Sequence, residues 1–248
     1  MEEISIPLED RKMSKFFCPI SNSHEYKKIF TIKKFPIFMG VSKKSENYKF
    51  KNLNWWINIE SGNVQINPKV SLDKLYAKSH GSGTMGKVWR DHHILFYKLV
   101  KPFIKGNICE IGGGNNSVLS KIKSFSKIKS FYSFDKNLKL KKNNKKIIKI
   151  KNFFSKDFFE QNRNLKFDLI IHSHTFEHLY KPDEFLKIVK SISSKNSKHI
   201  FTMPNMKVMI KKAYANAMNF EHPYFFDENL VDALLINNNF KIIKKIFY

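Results

Sequence analysis

Histidines, acidic residues and glycines cluster at three places in this chain. A glycine triplet at 112–114 follows the acid Glu110, three histidines surround Glu177, and Glu221 directly precedes His222. Glycine lets a ligand approach the backbone without meeting a Cβ atom. A histidine beside a carboxylate can act as a general base near neutral pH. These residue types predict a small-molecule site with a group that accepts a proton.

A metal site is a second interpretation of the same residues. His172, His174 and His178 could join an acid as ligands, but the segment places them partly on a strand and partly at the start of a helix. This spacing scatters the imidazoles, so no metal is predicted. Cys18 and Cys109 are the only cysteines, and they can form neither a thiolate zinc site nor a disulfide framework.

The glycine triplet needs elements on both sides to hold it. The apolar residues Ile108, Cys109 and Ile111 precede it, and an amphipathic segment follows it. This order predicts a strand, a tight turn and a helix. The helix is expected to begin near 115–117 and to point its free N–H groups into the space beside the turn. An ordinary β-turn of an α/β domain is the alternative.

The pattern around this turn is E-x-G-G-G, without the last glycine of the G-x-G-x-x-G dinucleotide fingerprint. It resembles the E/D-x-G-x-G turn of class I S-adenosylmethionine (SAM) methyltransferases, and the chain from Tyr76 onward resembles that family. The resemblance implies an α/β fold with a doubly wound, Rossmann-like, mostly parallel sheet. It also implies SAM as the cofactor and S-adenosylhomocysteine as the product. The residues assigned to the methionyl end are Glu110, Gly112, Gly113 and Gly114.

Two later strands supply residues for the rest of the cofactor. Asp135 ends a predicted strand at 130–135, where two ribose hydroxyls can donate to one carboxylate. Asn152 and Phe153 follow a predicted third strand at 145–151 and are assigned to the adenine.

The segment from 167 to 179 matches the fourth strand of the resembling family and the helix lead after it. Ser173 and His174 lie at the carboxyl end of this strand and should face the sulfonium and the acceptor. His174 is therefore a candidate base, while Glu177 and His178 are expected to fix the local turn. A fifth strand is also predicted, at 199–203.

Helical spacing over 87–100 predicts a helix that leads into the first core strand. In the resembling family this stretch, of the form Y…SGT…W-x-D-H, folds over bound SAM. The resemblance makes Thr84 a cofactor contact and makes Tyr76, Arg90 and His92 substrate contacts. Arg90 could clamp a carboxylate or a phosphate.

The segment 214–226 resembles the Y-H-E-H-x-x-Y-F motif of sugar C-methyltransferases, in which the Glu-His pair works on the acceptor. Glu221 and His222 match that pair and are the predicted catalytic residues, with Tyr224 as a substrate contact. Asn219 and Phe220 stand where the family has Tyr and His. A structural His-Pro turn before a helix over 227–235 is the alternative.

Residues 1–75 are predicted to form a small β-rich accessory domain, and residues 76–248 the methyltransferase domain. The segments 18–21 and 58–66 resemble the two zinc knuckles that sugar-type methyltransferases carry at this end. Because Ser21, Asn58 and Ser61 replace three cysteines, the remaining thiolate cannot hold a tetrahedral zinc. An unrelated β-rich cap is the alternative. A last strand is predicted at 240–248, and the further C-terminal domain of sugar C-methyltransferases is not found after it.

The net charge of +24 invites a nucleic-acid interpretation. The excess is almost all lysine, with only Arg11, Arg90 and Arg163 beside it, and phosphate-reading surfaces usually recruit arginine. A solvated lysine coat is therefore favoured, and nucleic acid is not expected as a partner. No apolar run reaches the length of a membrane span, and the acidic start is unlike a signal peptide. A soluble, cytoplasmic protein is expected, and its oligomeric state is left open.

Together these features predict methyl transfer from SAM to a small polar acceptor. The acceptor is predicted to be a sugar, or a phosphorylated or phosphoramidate-type precursor of surface polysaccharide such as capsule, methylated on oxygen rather than carbon. One alternative is an RNA methyltransferase that uses the lysine-rich surface. Another is a non-catalytic SAM-fold partner protein, which the intact glycine turn and Asp135 argue against.

Overall fold

A computed structural model describes residues 17–37, 49–75, 86–114, 118–138, 141, 143–214 and 217–247. Its larger sheet has five parallel strands in the order β6-β5-β4-β7-β8. The strands are β4 (Gly106–Ile111), β5 (Ile128–Phe134), β6 (Ile147–Ile150), β7 (Phe167–Ser173) and β8 (Ser193–Thr202). The first of them, β4, lies in the middle, so the chain winds outward in both directions. This order places a ligand crevice at the carboxyl ends of β4 and β7.

Seven α-helices accompany the sheets in the described residues. They are α1 (Leu72–Leu75), α2 (Lys87–Val100), α3 (Val118–Lys121), α4 (Lys156–Gln161), α5 (Pro182–Ile192), α6 (Met206–Lys211) and α7 (Glu228–Asn237). Apolar residues of α2 and α3 pack on one face of the sheet, where Ile108 is fully buried. Residues of α4, α5 and α7 pack on the other face, against Cys109. The predicted doubly wound α/β fold is confirmed.

Helix α5 illustrates why these segments fold as they do. Pro182 occupies its first turn, where the missing N–H has no partner to lose, and Asp183 and Glu184 follow at the positive end of the helix dipole. Its apolar residues recur on one face, and that face is buried against the sheet. The buried residues are Phe185, Leu186, Val189 and Ile192.

The edge strand β8 is longer than its sequence indicates. The apolar pattern predicts it at 199–203, whereas it begins at Ser193 and pairs there with Phe167. Residues 193–198 are polar and only partly covered, so they carry little of the apolar signal by which a strand is recognised.

The predicted last strand at 240–248 is wrong for the described residues. Residues 241–247 form no strand, and Ile243 and Phe247 are 71% and 65% exposed. Lys245 Nζ lies 2.6 Å from Glu228 Oε1 and 2.7 Å from Asp232 Oδ2. These ion pairs hold the segment against α7 rather than beside β8.

A second sheet has four antiparallel strands in the order β1-β2-β3-β9. They are β1 (Tyr26–Pro36), β2 (Phe50–Asn58), β3 (Val64–Ile66) and β9 (Tyr224–Phe225). Its core joins Trp55 and Leu75 to Phe220, which precedes the Glu221-His222 pair. The accessory sheet therefore takes its fourth strand from beyond residue 75, and the division at 75 and 76 stays a prediction.

The two knuckle-like segments come together at one end of this sheet. Cys18 Sγ lies 3.1 Å from Ser61 Oγ, and Ser21 Oγ donates to Asn58 Oδ1 at 3.0 Å. Ser61 Oγ also donates to Asn58 Oδ1, at 2.9 Å. The four positions that hold zinc in the resembling domain are thus joined by hydrogen bonds.

Candidate active site

The glycine turn follows β4 at the carboxyl edge of the parallel sheet. Gly112 has φ +70°, and its N–H donates to the Phe134 carbonyl at 2.8 Å. A Cβ atom at Gly112 would lie 2.5 Å from Thr175 Oγ1, and one at Gly113 would lie 2.8 Å from Glu110 Cδ. Packing therefore favours glycine at both positions, and at Gly112 the backbone conformation favours it as well.

Glu110 lies behind the turn and is 3% exposed. Its Oε1 accepts a hydrogen bond from the Val118 N–H at 2.6 Å, at the start of α3. Glu110 thereby ties the strand before the turn to the helix after it. Its contact with the methionyl end of SAM stays a prediction.

Asp135 follows β5 and reaches the same turn. Its Oδ2 accepts from the Gly114 N–H at 3.0 Å, and its Oδ1 accepts from the Asn137 N–H at 2.7 Å. Burial raises the pKa of Asp135, and the two N–H donors act in the opposite direction. The fold thus brings the glycine turn and the predicted ribose acid together, with both carboxylate oxygens oriented.

The residues assigned to the adenine lie on the next loop along the sheet edge. Asn152 is exposed and its Oδ1 accepts from the Phe153 N–H at 2.8 Å. Lys136, adjacent to Asp135, places its Nζ 4.8 Å from the centre of the Phe153 ring. The predicted ribose and adenine contacts are therefore neighbours.

A polar chain crosses the carboxyl ends of β7 and β8. Ser173 Oγ lies 2.8 Å from His92 Nε2 and 2.9 Å from Thr202 Oγ1. Burial lowers the pKa of His92 to about 4, with help from the neighbouring His174 and His93, so this imidazole is neutral at physiological pH. Thr202 was not among the predicted site residues, although its place at the end of the fifth strand could have indicated it.

His174 and Glu177 form a hydrogen-bonded pair beside the glycine turn. Nδ1 of His174 lies 3.0 Å from Glu177 Oε1, and the two side chains are 27% and 1% exposed. Burial acts to raise the pKa of Glu177, but the hydrogen bond from His174 and the nearby His178 hold it below its ordinary value. An ionised Glu177 makes Nδ1 the donor and leaves the lone pair on Nε2 of His174. The sequence pattern predicts only a turn-forming role for Glu177.

Helix α2 covers His174 with aromatic rings. The Trp89 ring lies edge-on to His174 with centroids 4.8 Å apart, and the His92 ring does so at 4.7 Å. Trp89, His92 and Phe96 repeat at helical spacing on the inward face of α2. Arg90 is exposed and lies about 200° around the helix from His92. Its substrate contact stays a prediction, and Tyr76 and Thr84 lie outside the described residues.

The predicted Glu221-His222 pair is more enclosed than His174. His222 is 9% exposed, and its Nδ1 lies 3.2 Å from the Ala217 carbonyl oxygen. Burial, followed by the charge of His178, lowers the pKa of His222 to about 4. The His178 ring is tilted by 40° against the His222 ring, with centroids 4.9 Å apart, and its Nδ1 donates to the Glu221 carbonyl at 2.9 Å.

Glu177 and His178 connect the two candidate bases, His174 and His222. His178 Nε2 lies 3.9 Å from Glu177 Oε1, the same oxygen that bonds His174. The structure therefore gathers the predicted residues of the fourth strand and of the 214–226 segment into one cluster around a buried carboxylate.

Tyr224 lies at the junction with the accessory sheet. It is 3% exposed, and its hydroxyl accepts from Lys69 Nζ at 2.9 Å and donates to the Tyr180 carbonyl at 3.0 Å. Burial raises the pKa of Tyr224. The hydroxyl therefore fixes the 221–224 segment, and the predicted contact of Tyr224 with substrate stays a prediction.

The turn and the acids fit a bound SAM molecule. A Cβ atom at Gly112 or Gly113 would meet a neighbouring side chain, and the Asp135 carboxylate can accept from a ribose diol. His174 lies at the carboxyl end of β7, where the sulfonium is predicted. In the described part of the chain, no three His, Cys, Asp or Glu side chains are grouped to hold a metal ion. Likewise, none of the described helices is long and apolar enough to cross a bilayer.

Comparison with solved structures shows distant likenesses. One is the plantazolicin methyltransferase BpumL in complex with SAH, with 15% identity, 64% of this chain and 72% of that chain covered, and a TM-score of 0.44. Another is a putative Type II methyltransferase from Anaeromyxobacter dehalogenans, with 10% identity, coverage of 49% and 54%, and a TM-score of 0.34. Likenesses with TM-scores this low do not identify a family. No curated protein matches the chain.

The family itself is identified by a model described as a methyltransferase domain. That model matches residues 88–245, which span β4 to β9 and every described residue of the glycine turn and the His174–Glu177 pair. The chain therefore belongs to this methyltransferase family, and it is a class I SAM-dependent methyltransferase.

Proposed function

We propose that this enzyme methylates an oxygen of a small polar acceptor and that His174 takes the acceptor's proton. The methyl carbon of SAM is already activated by the sulfonium, so the protein needs mainly to align the two reactants and accept one proton. The new bond joins the acceptor oxygen to the methyl group as the S–CH₃ bond breaks. S-adenosylhomocysteine leaves, and the proton moves to Nε2 of His174.

The observation that carries this proposal is the His174–Glu177 pair at the carboxyl end of β7. Glu177 fixes Nδ1 at 3.0 Å, while 27% of the His174 side chain stays exposed to solvent. His222 is the alternative base, with Glu221 beside it. Its pKa of about 4 and its burial make it a weak base near neutral pH.

We further propose that the acceptor is a sugar, or a phosphorylated or phosphoramidate-type precursor of surface polysaccharide such as capsule. The support is the resemblance to sugar-type methyltransferases, together with the convergence of the four knuckle positions Cys18, Ser21, Asn58 and Ser61. Oxygen is preferred over carbon because a hydroxyl needs one proton acceptor of ordinary strength. The free thiols of Cys18 and Cys109 fit a reducing compartment, and we propose the cytoplasm.

The test is a methyl-transfer assay against nucleotide-sugars, sugar phosphates and phosphoramidates. His174→Gln should lower kcat by about 100-fold or more, since it removes the general base. It should leave SAM affinity near that of wild type. His24→Gln is the matched control, because His24 is an exposed histidine of the accessory segment. A full loss in His222→Gln with normal turnover in His174→Gln would transfer the role to His222.

The same assay separates the rival functions. An RNA methyltransferase would methylate RNA, with an affinity that falls steeply as salt rises. A non-catalytic partner protein would bind neither SAM nor S-adenosylhomocysteine in calorimetry. Either result would overturn methylation of a small acceptor.

A further inference from the structure

A cavity of about 520 Å³ lies at the end of the β1–β2 hairpin, outside the candidate active site. The hairpin closes there with the Ile37 N–H donating to the Lys49 carbonyl at 2.8 Å. Four of the residues that line the cavity are lysines, and among the described residues no carboxylate lines it. The four lysines are Lys49, Lys51, Lys69 and Lys74.

These lysines differ from others on the surface. Lys87, Lys156 and Lys245 each have an acidic partner within 4.0 Å. Within the described ranges, none of the four cavity lysines has such a partner. Their neighbour Asp73 pairs with Lys136 on the outer side of α1 instead. Four cations around one cavity, with no carboxylate among its described lining residues, attract an anion.

Lys69 is held rigidly at the inner wall of this cavity. Its Nζ donates to the Tyr180 carbonyl and to the Tyr224 hydroxyl, both at 2.9 Å, and it lies 4.3 Å from the centre of the Tyr224 ring. Burial lowers the pKa of Lys69 to about 8. An anion in the cavity would stabilise the charged form of this buried amine, which its protein surroundings do not fully compensate.

The cavity is coupled to both sides of the active site. Through Lys69 it contacts Tyr224, two residues after His222. Through α1 it is linked to Lys136, which directly follows the ribose acid Asp135. A group bound here would therefore contact Lys69, which is hydrogen-bonded to the acceptor segment at Tyr224.

We propose that this cavity binds the phosphate or diphosphate group of the methyl acceptor. The proposal rests on the proposed function, because it identifies one end of the molecule that His174 deprotonates. Lys49, Lys51, Lys69 and Lys74 supply point charges for the phosphoryl oxygens, as lysine commonly does for phosphate. Phe50 and Val70 supply apolar wall for the ester-linked carbon groups.

The test is calorimetric titration of the full chain with inorganic pyrophosphate, without SAM. Lys51→Gln combined with Lys74→Gln removes two charges from the cavity, whereas Lys127→Gln combined with Lys129→Gln removes two exposed charges elsewhere. Both double variants have the same net charge, so a difference between their Kd values does not come from the general field of the lysine coat. We expect Kd to rise by about tenfold or more in the cavity variant and by less than about twofold in the control. An equal effect in both variants would overturn the site.

Further arms of the titration identify the source of the phosphate. Tighter binding of a nucleoside diphosphate or a sugar phosphate than of pyrophosphate, lost in the cavity variant, supports an acceptor handle. If a short RNA binds tightly and both variants lower its affinity equally, the binding belongs to the lysine coat and the acceptor handle is overturned.

SAM titration of the same samples keeps the two proposals distinguishable. If SAM binds and the cavity variant binds pyrophosphate as tightly as wild type does, only the cavity proposal is rejected. Selective pyrophosphate binding without SAM binding supports the cavity as an anion site and rejects the proposed function.

Discussion

Glu177 Oε1 lies 3.0 Å from Nδ1 of His174, and this contact joins an enclosed carboxylate to a partly exposed imidazole. The carboxylate is too deeply buried to meet a substrate, so any effect it has on methyl transfer acts through His174. In that geometry it fixes the ring orientation and the tautomer that leaves Nε2 as the acceptor. Glu177 is thus a positioning residue.

The first prediction concerns this pair. Glu177→Gln keeps the shape and one oxygen but removes the charge, and we expect kcat to fall by about tenfold or more. KM for the acceptor and the Kd of SAM should change little, because neither ligand contacts the buried side chain. A purely structural role would instead lower the melting temperature and weaken SAM binding while sparing kcat. Steady-state kinetics and calorimetry on the same preparation distinguish the two cases.

A second prediction tests the ribose acid. Asp135→Asn keeps one oxygen for a backbone N–H but replaces the other by an amide that cannot accept from a ribose hydroxyl. Hydrogen bonds to a charged group are worth about 1.5–3 kcal/mol, so the Kd of SAM should rise by roughly 10- to 100-fold. Asp157→Asn is the control, since Asp157 is exposed on α4. Equal SAM affinity in Asp135→Asn and wild type would remove Asp135 from the ribose site.

A third prediction concerns the glycine turn. Gly112→Ala places a Cβ atom 2.5 Å from Thr175 Oγ1 at a φ of +70°, so both contact and backbone oppose it. We expect lower thermal stability and weaker SAM binding. Adding Thr175→Ala removes the contact but leaves the backbone cost of about 1–2 kcal/mol, so it should restore stability only in part. Full restoration would mean that the left-handed backbone at Gly112 costs nothing.

Some of this site could be predicted from the sequence because its signals are local. The glycine triplet follows an apolar run directly, and Asp135 stands at the end of the next strand. The His174–Glu177 bond depends on the φ of +50° at His174, which no residue pattern indicates. The link between Lys69 and Tyr224 joins residues 155 positions apart. The segment 240–248 is rich in apolar residues, which favours a strand, but in the structure its Lys245 pairs with Glu228 and Asp232 of α7, contacts that no local pattern indicates.

A fourth prediction concerns the dependence of stability on pH. His172 Nε2 lies 2.9 Å from His199 Nε2, beside the rings of Phe185 and Phe201, so only one of the two nitrogens can carry a proton. Burial lowers the pKa of His199 from 6.5 to about 3 and holds that of His172 well below 6.5. A histidine with a lowered folded-state pKa leaves stability intact above pH 6.5 and reduces it below, because the unfolded chain binds the proton first.

Urea unfolding at a series of pH values between 7.5 and 5 measures this effect. Each of these two histidines should lower the free energy of unfolding by up to about 1.4 kcal/mol per pH unit below its ordinary pKa. His172→Leu combined with His199→Leu should flatten the slope, leaving the contribution of groups such as His92 and His222. An unchanged slope in this variant would show that both imidazoles titrate alike in the folded and unfolded chain.

The last prediction uses the knuckle positions. Cys18, Ser21, Asn58 and Ser61 already meet through contacts of 2.9–3.1 Å, so three substitutions would bring four thiolates to one point. The variant with Ser21→Cys, Asn58→Cys and Ser61→Cys should bind one Zn²⁺ tetrahedrally and lose stability when the metal is chelated. Ser21→Cys with Ser61→Cys alone, which keeps Asn58, is the control and should retain zinc poorly. Zinc content after dialysis and melting with and without EDTA measure both. A triple variant without zinc would mean that the two segments do not share the geometry of a zinc knuckle.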